Sequence, residues 1–81
     1  MKITVLLFAG ARELTGVDQL ELDVAPEIVA ADLLRQLGSG YPVLQPLLPV
    51  SRLAANGCYL ADSATVDLHA ELALIPPVSG G

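Results

Sequence analysis

The side chains that usually carry catalysis are few in this chain, and they lie far apart in the sequence. His69 is the only histidine and Cys58 is the only cysteine, so the spacing that a metal site or a Cys/His nucleophile requires is missing. We interpret His69 as a loop residue and Cys58 as a buried, inert strand residue. The segment around Gly10 lacks the lysine of a phosphate-binding loop. The side chains therefore predict a domain that is a poor catalyst by itself and that holds no metal or cofactor.

A different chemistry is indicated by residues 76–81, which read Pro-Pro-Val-Ser-Gly-Gly. Proline lacks an N–H and has a fixed φ, so a sheet ladder cannot continue past Pro76 and an extended path is favoured. Two glycines leave no Cβ beside the terminal carboxylate, which suits passage through a channel too narrow for side chains. The alternative interpretation is an ordinary frayed terminus.

The terminal carboxylate is the one reactive group of this chain that is placed for chemistry. A carboxylate is inert toward nucleophiles at neutral pH until it is activated, and adenylation by ATP is the common route. The resulting mixed anhydride is open to attack by an amine or by sulfur. Both outcomes require an exposed, unhindered terminus on a compact body, and Gly80-Gly81 fits that requirement.

Composition excludes several classes of partner. The 81 residues suffice for one domain with one modest core. The net charge is −5 and the four basic residues are scattered, so we expect no nucleic-acid binding. No signal peptide is recognisable, and no apolar run approaches the ~20 residues that span a bilayer. A single cysteine fits a reducing compartment, so we expect a cytoplasmic protein with no membrane association.

Strand patterns surround one helical pattern. Residues 2–8 and 19–24 alternate as strands, and the second run is typical of a half-exposed hairpin partner of the first. Between them, residues 9–16 have room for one short helical turn. The main helix is predicted to open at Pro26 and Glu27 and to end in left-handed glycines at Gly38 and Gly40. Three prolines make residues 41–50 a loop with at most a turn of helix.

The carboxyl-terminal half predicts a tight hairpin and a last strand. Asn56-Gly57 favours a type I′ turn between strands at 52–55 and 58–60, and residues 71–75 form the closing strand. The element order predicts an α+β fold of the ubiquitin-like β-grasp type, with a mixed sheet of about five strands packed on one main helix. We expect a domain over residues 1–75, with first and last strands side by side, and a flexible tail over residues 76–81.

The sequence resembles the MoaD family, the small sulfur-carrier subunits of molybdopterin synthase, over nearly the whole chain. The resemblance is carried by VLLFA at residues 5–9, RELTG at 12–16, AAN at 54–56 and ELALIPPVSGG at 71–81. Two departures stand out. His69 occupies the position where family members often have a turn glycine, so we expect a reshaped turn or a positive φ there. Leu74 and Ile75 stand where aromatic residues are frequent.

The resemblance implies a mechanism centred on the terminal residue. An E1-like adenylyltransferase binds the body of the carrier and uses ATP to adenylate the Gly81 carboxylate. A sulfurtransferase or cysteine desulfurase then supplies sulfur, which gives a Gly81 thiocarboxylate. The tail enters the large subunit of molybdopterin synthase and donates sulfur to cyclic pyranopterin monophosphate, building the dithiolene of molybdopterin. The implied assembly is a heterotetramer with two subunits of each kind, and the large subunit supplies the acid and base residues.

The resemblance also gives roles to individual residues, as hypotheses. Gly81 carries sulfur, and the residues before it form the inserted segment: Pro76, Pro77 and Val78 hold it extended, while Ser79 and Gly80 permit passage. A docking face is expected from Phe8, Leu74 and Ile75, although a plain core role for Phe8 is an equal alternative.

Two other classes of function remain open. The first keeps the tail chemistry and changes the acceptor, as in a sulfur carrier for thiamine, tRNA thiolation or cysteine synthesis, or in a ubiquitin-like protein modifier. The second is a β-grasp interaction module with no tail chemistry, since small folds host many functions. Removal of Gly81 separates these classes.

Overall fold

A mixed five-stranded sheet organises residues 1–75, the part of the chain that the computed structural model describes. The strands are β1 (Lys2–Leu7), β2 (Gln19–Asp23), β3 (Arg52–Ala55), β4 (Cys58–Tyr59) and β5 (Leu72–Ile75), and the helices are α1 (Ala9–Thr15) and α2 (Ala30–Gly40). The strand order is β2-β1-β5-β3-β4. β1 and β5 are parallel, and the other pairs are antiparallel. The prediction that the first and last strands lie side by side is therefore confirmed.

The core lies between one face of the sheet and α2. Alternation along β1 sends Ile3, Val5 and Leu7 to this side, and all three are buried. α2 contributes Leu33 and Leu37, both fully buried. Each such leucine stabilises the fold by roughly 1.5–3 kcal/mol through loss of apolar contact with water.

The main helix begins later than the sequence pattern predicts. Pro26 and Glu27 form a turn, and α2 starts at Ala30. Val29 is extended, with φ −94° and ψ 160°, because it forms an antiparallel bridge with Thr65. The N–H of Ala30 donates to the carbonyl of Ala64 at 2.9 Å. A distant loop thus supplies the acceptor that a local capping side chain would otherwise provide.

The end of α2 also differs from the prediction. The helix continues through Gly38 and Gly40, and neither glycine has a positive φ. A Cβ at Gly38 would lie 2.8 Å from Cδ1 of Leu48, so the loop that follows α2 packs closely on this turn of the helix. The Gln45 Nε2 donates to the Gly38 carbonyl at 3.1 Å. Gly38 permits a close approach and does not terminate the helix.

Residues 41–50 carry two short 3₁₀ turns, Pro42–Leu44 and Leu48–Val50, where the three prolines predict a loop with at most one turn of helix. α1 is a seven-residue helix and is longer than the single expected turn. It ends at Gly16, whose φ is 76° and whose N–H donates to the Arg12 carbonyl at 2.8 Å. This left-handed cap is the role that suits glycine.

The Asn56-Gly57 hairpin forms as predicted. Both residues have positive φ, 49° and 81°, as a type I′ turn requires. Asn56 also ties the hairpin to the loop before β5. Its Oδ1 accepts from the Glu71 N–H at 2.9 Å, and its own N–H donates to the Glu71 carbonyl at 2.9 Å.

The turn at His69 forms without left-handed backbone. Within residues 1–75, Ala9 and Asn56 are the non-glycine residues with positive φ, so the expected positive φ at His69 is not found. Oδ1 of Asp67 accepts from the His69 N–H at 2.9 Å, and the Ala70 N–H donates to the Asp67 carbonyl at 3.1 Å. A side-chain turn of this kind replaces the glycine-based turn.

Candidate docking face at the end of the last strand

The last described strand, β5, ends at the same end of the sheet as β1. β5 is parallel to β1, and Leu74 lies opposite Leu7. Because neighbouring parallel strands run in the same direction, their carboxyl ends lie at the same end of the sheet. Ile75 therefore lies near Phe8, which follows β1. The chain then turns away at Ala9, where φ is 46°. The described part of the chain therefore ends beside Phe8, at the end of the sheet where β1 also ends.

The predicted reacting segment lies beyond the described residues. The predictions for Gly81 and for the inserted residues Pro76, Pro77, Val78, Ser79 and Gly80 stay predictions. The described residues show which surface accompanies the start of this segment.

The sheet surface away from α2 forms what we call the open face. It comprises Leu6, Phe8, Arg52, Ala54, Tyr59, Ala73 and Ile75. The strand register assigns these residues to one side, since Leu6 and Ala54 both lie opposite Ala73, Tyr59 lies opposite Ala54, and Arg52 lies opposite Ile75. Phe8 has extended backbone, with φ −133° and ψ 157°, so its side chain continues the alternation of β1 on the side of Leu6.

The open face is an apolar surface with small residues at its centre. Ala54 and Ala73 are 4% and 8% exposed although they point away from the helix. Phe8 and Tyr59 are 44% and 55% exposed. An apolar surface with exposed aromatic rings is typical of a protein interaction site.

The three residues predicted for docking separate into two groups. Phe8 is exposed and Ile75 is half-buried, and both belong to the open face. Leu74 has no exposed surface, since it packs into the core between Leu7 and Leu53. The side chain of Leu74 therefore contributes to the fold and cannot contact a docked partner. The core alternative for Phe8 does not match its exposure.

Sequence reasoning missed Arg52 and Tyr59 as members of this face. The Cζ atom of Arg52 lies 4.8 Å from the centre of the Tyr59 ring, which is within the range of a cation–π contact. The signal was present in the hairpin, because a strand register built outward from Asn56-Gly57 places residues 54 and 59 opposite each other. The pairing of β3 with β4 ends at residues 54 and 59, so the hairpin alone does not place Arg52.

The free edge of β2 is a weaker candidate for docking. The N–H of Leu7 donates to Asp18 and the N–H of Val24 donates to Met1, so the backbone groups of Glu21 and Asp23 point to the free edge. Their carbonyls accept from the Tyr41 hydroxyl at 3.4 Å and the Gln36 Nε2 at 2.6 Å. Because these side chains already occupy the two carbonyls, the edge strand is less able to pair with a strand of another chain.

An apolar groove lies on the far side of β2 from β5. Its volume is about 520 Å³. Leu14, Val17 and Val43 line it and are each about 45% exposed, and Tyr41 closes one side. Two strands separate this groove from Ile75, so it is not part of the surface around Ile75.

The other candidate groups of the sequence offer no catalytic arrangement in residues 1–75. His69 is an exposed turn residue, as predicted. Cys58 is exposed, which corrects the prediction of a buried cysteine. It lies in β4, a two-residue strand at one edge of the sheet, and both residues of that strand are exposed. No group of three histidine, cysteine or acidic side chains suited to a metal ion is found in this part of the chain. None of the helices described there has the length and apolarity needed to cross a membrane.

Comparisons with known proteins agree with this architecture. The family model described as "ThiS family" matches residues 5–81. A relative from Arabidopsis thaliana named "Molybdopterin synthase sulfur carrier subunit" is 44% identical over 81 residues, covering 100% of this chain and 84% of the relative. A Dictyostelium discoideum protein of the same name is 38% identical over 80 residues, covering 95% and 93% of the two chains.

Solved structures resemble the whole chain. The crystal structure of SAMP1 from Haloferax volcanii has a TM-score of 0.82 at 29% identity and covers 100% of both chains. A chain of the complex of subunits 1 and 2 of the molybdopterin-converting factor from Helicobacter pylori has a TM-score of 0.69 at 21% identity, again over 100% of both chains. The second likeness shows the fold alone. The predicted ubiquitin-like β-grasp fold is confirmed by these neighbours.

Proposed function

This chain belongs to the ThiS family, and we propose that it is the sulfur-carrier subunit of a molybdopterin synthase, acting in molybdenum cofactor biosynthesis. The observation that carries the proposal is the full-length match to a molybdopterin synthase sulfur carrier subunit at 44% identity. The match includes both the described domain and residues 76–81. A resemblance confined to the domain would have supported the fold without the terminal chemistry.

We place the chemistry on the carboxylate of Gly81. A partner adenylyltransferase of the E1-like type transfers AMP from ATP to this carboxylate and releases pyrophosphate. A sulfurtransferase or cysteine desulfurase supplies a persulfide sulfur that displaces AMP and forms an acyl disulfide. A thiol reductant then cleaves this disulfide, which leaves the thiocarboxylate. The thiocarboxylate then donates sulfur to cyclic pyranopterin monophosphate. The support for this assignment is the poverty of catalytic side chains in residues 1–75 together with the unhindered Gly80-Gly81 end.

The reaction requires a large synthase subunit that receives the inserted segment. We propose that this subunit covers the open face around Phe8 and Ile75, because that surface is apolar and accompanies the chain as it leaves β5. Pro76, Pro77 and Val78 reduce the entropy lost when the segment is inserted. The proposed assembly is a heterotetramer with two subunits of each kind, in the cytoplasm, where a single exposed cysteine stays reduced.

Intact mass spectrometry tests the proposed chemistry. Incubation of the full chain with ATP, the adenylyltransferase and a sulfur donor is expected to replace one oxygen by one sulfur at the carboxyl terminus. Deletion of Gly81 is expected to abolish this change while the melting temperature stays the same. Gly80→Val is the matched variant, and it should reduce transfer to the large subunit far more than it lowers stability. An unchanged mass in the presence of an active adenylyltransferase would refute the proposal.

A second candidate function is favoured by the likeness to SAMP1, which is described among solved structures as a small archaeal modifier protein. A modifier uses the same activated Gly81 and passes it to a lysine amine in place of sulfur. The two functions give different products from one activated species. Conjugates of this chain to other proteins, formed with ATP and the adenylyltransferase in a cell extract, would support modification. Molybdopterin formation from the thiocarboxylate supports the sulfur carrier.

A further inference from the structure

We propose that Arg52 selects a carboxylate on the large synthase subunit, beside the entrance through which residues 76–81 are inserted. The inference rests on the proposed function and adds a charged, orienting contact to a docking face that is otherwise apolar. It is carried by the position of Arg52, by its contact with Tyr59 and by the distribution of charge on the open face.

Arg52 lies next to the start of the inserted segment. It is the first residue of β3 and lies directly opposite Ile75, the last residue of β5. Side chains of opposite residues share a face and lie about 5 Å apart at Cβ. A partner that engages the chain just beyond Ile75 therefore meets the Arg52 guanidinium at the same time.

Tyr59 holds this guanidinium in place. The Arg52 Cζ lies 4.8 Å from the ring centre, and Tyr59 lies opposite Ala54, one step along the same face. A stacked guanidinium keeps its planar edge free to bind a carboxylate with two hydrogen bonds. Because its motion is already restricted by the ring, less side-chain entropy is lost on docking than for a free arginine.

Arg52 lacks a carboxylate partner among residues 1–75. The ion pairs in this part of the chain join the Met1 amino group to Asp23 and Arg35 to Asp32. Arg52 is exposed, so its charge is available to a second protein. Lys2 and Arg12 also have no ion pair in this part of the chain, but Arg52 is the basic residue that lies opposite Ile75. On a chain of net charge −5, a positive charge at that position can orient an acidic partner.

The charges of the open face are arranged asymmetrically. Glu21 and Asp23 lie opposite Thr4 and Lys2 on β1, so the border of this face along β2 carries two carboxylates and one lysine and is net negative. Arg52 borders it on β3, at the other side of β1 and β5. An apolar strip with acids on one side and a guanidinium on the other admits a complementary partner in one orientation and opposes the reversed one. The occupant we infer is therefore an apolar surface of the large subunit with a carboxylate facing Arg52.

The test measures binding of the full-length carrier to the large subunit of the same organism. Arg52→Gln keeps a long polar side chain and is expected to weaken binding about three- to fivefold, in the range of one exposed ion pair. Arg52→Glu places like charges together and is expected to weaken binding tenfold or more. Arg35→Gln is the control, because Arg35 lies on α2 and pairs with Asp32. It should change affinity less than twofold.

Salt dependence and a double-mutant cycle separate a charge contact from a structural effect. The difference in affinity between wild type and Arg52→Gln should be present at about 0.05 M NaCl. It should disappear at about 0.5 M NaCl, because the screening length is then only a few ångströms. Tyr59→Leu should weaken binding more in the wild-type carrier than in the Arg52→Gln variant, if the ring also acts by positioning the guanidinium. Additive losses would refute the positioning role of Tyr59.

The outcomes distinguish this inference from the proposed function. If the wild-type carrier binds the large subunit and transfers sulfur while Arg52→Glu does both equally well, the inference is wrong and the function stands. A wild-type carrier that neither binds the large subunit nor forms a thiocarboxylate contradicts the function, and the inference with it. Melting temperatures of all variants should agree with wild type within a few degrees, because Arg52 is exposed.

Discussion

Truncation of Leu74 should lower stability, whereas truncation of a docking residue on the open face should mainly weaken binding. Leu74 has no exposed surface and lies between Leu7 and Leu53, each 1% exposed, on the two flanking strands. Both neighbours belong to hydrogen-bonded strands, so the site has little freedom to collapse around a smaller residue. We therefore expect Leu74→Ala to lower the free energy of unfolding by about 3–4 kcal/mol, within the range for buried leucines.

The matched variant is Phe8→Ala on the open face. Phe8 is 44% exposed, so much of its ring is already in contact with water in the folded protein. We expect a loss of about 1 kcal/mol, well below the cost of removing a buried phenylalanine. For a domain of 81 residues, these values correspond to melting-temperature decreases of roughly 15–25 °C for Leu74→Ala and about 5 °C for Phe8→Ala.

Urea unfolding followed by far-ultraviolet circular dichroism measures both variants, because the shift in midpoint at constant slope gives the stability change. Binding to the large subunit, measured where both variants are folded, should show the opposite order. Phe8→Ala should weaken binding severalfold, and Leu74→Ala should change it less than twofold. A Leu74→Ala variant within 1 kcal/mol of wild type, or one less stable by no more than Phe8→Ala, would refute the assigned burial.

Two further predictions concern the turns that precede β5. Asn56→Gly keeps the positive φ that the hairpin needs but removes the Oδ1 that accepts from the Glu71 N–H. Thermal unfolding should therefore show that its free energy of unfolding is lower by about 1 kcal/mol. Asn56→Ala also disfavours the left-handed backbone, so its free energy of unfolding should be lower by about 2 kcal/mol. A smaller loss for the alanine variant would contradict the turn geometry. His69→Gly should lower the free energy of unfolding by about 0.5 kcal/mol, since His69 has no positive φ for glycine to relieve; a stabilised glycine variant would indicate strain at this residue.

Local patterns were sufficient where one segment determines its own structure. The alternation of β1 and β2 and the Asn56-Gly57 turn are examples, because side-chain period and backbone preference act within a few residues. The start of α2 was not predictable in this way. Val29 is held extended by its bridge to Thr65, and the Ala30 N–H donates to Ala64. Those partners are more than thirty residues away along the chain, where no helix-start signal reports them.

In the candidate site, too, some features can be predicted from one segment and others depend on contacts between distant segments. The prediction of Phe8 and Ile75 came from the resemblance to the MoaD family, and the structure places both residues at the ends of two neighbouring strands. The error at Leu74 arose because residues 72–75 read Leu-Ala-Leu-Ile, and a run with no polar member does not reveal which side faces the core. Cys58 is exposed because β4 is a two-residue strand at the edge of the sheet, and the sequence pattern does not show which strand lies at the edge. The contact of Arg52 with Tyr59 requires the register of two strands, which no single segment contains.

The central position of β5 has a mechanical consequence. β5 is bonded on one side to β1, in parallel, and on the other side to β3. A partner that draws the carboxyl-terminal residues lengthwise therefore pulls along a strand anchored by two neighbours, and the force is shared by several hydrogen bonds at once. An edge strand pulled in the same direction would be held by the hydrogen bonds to one neighbour alone. If the proposed function is correct, this arrangement lets the terminus be loaded, inserted and withdrawn while the sheet keeps its structure.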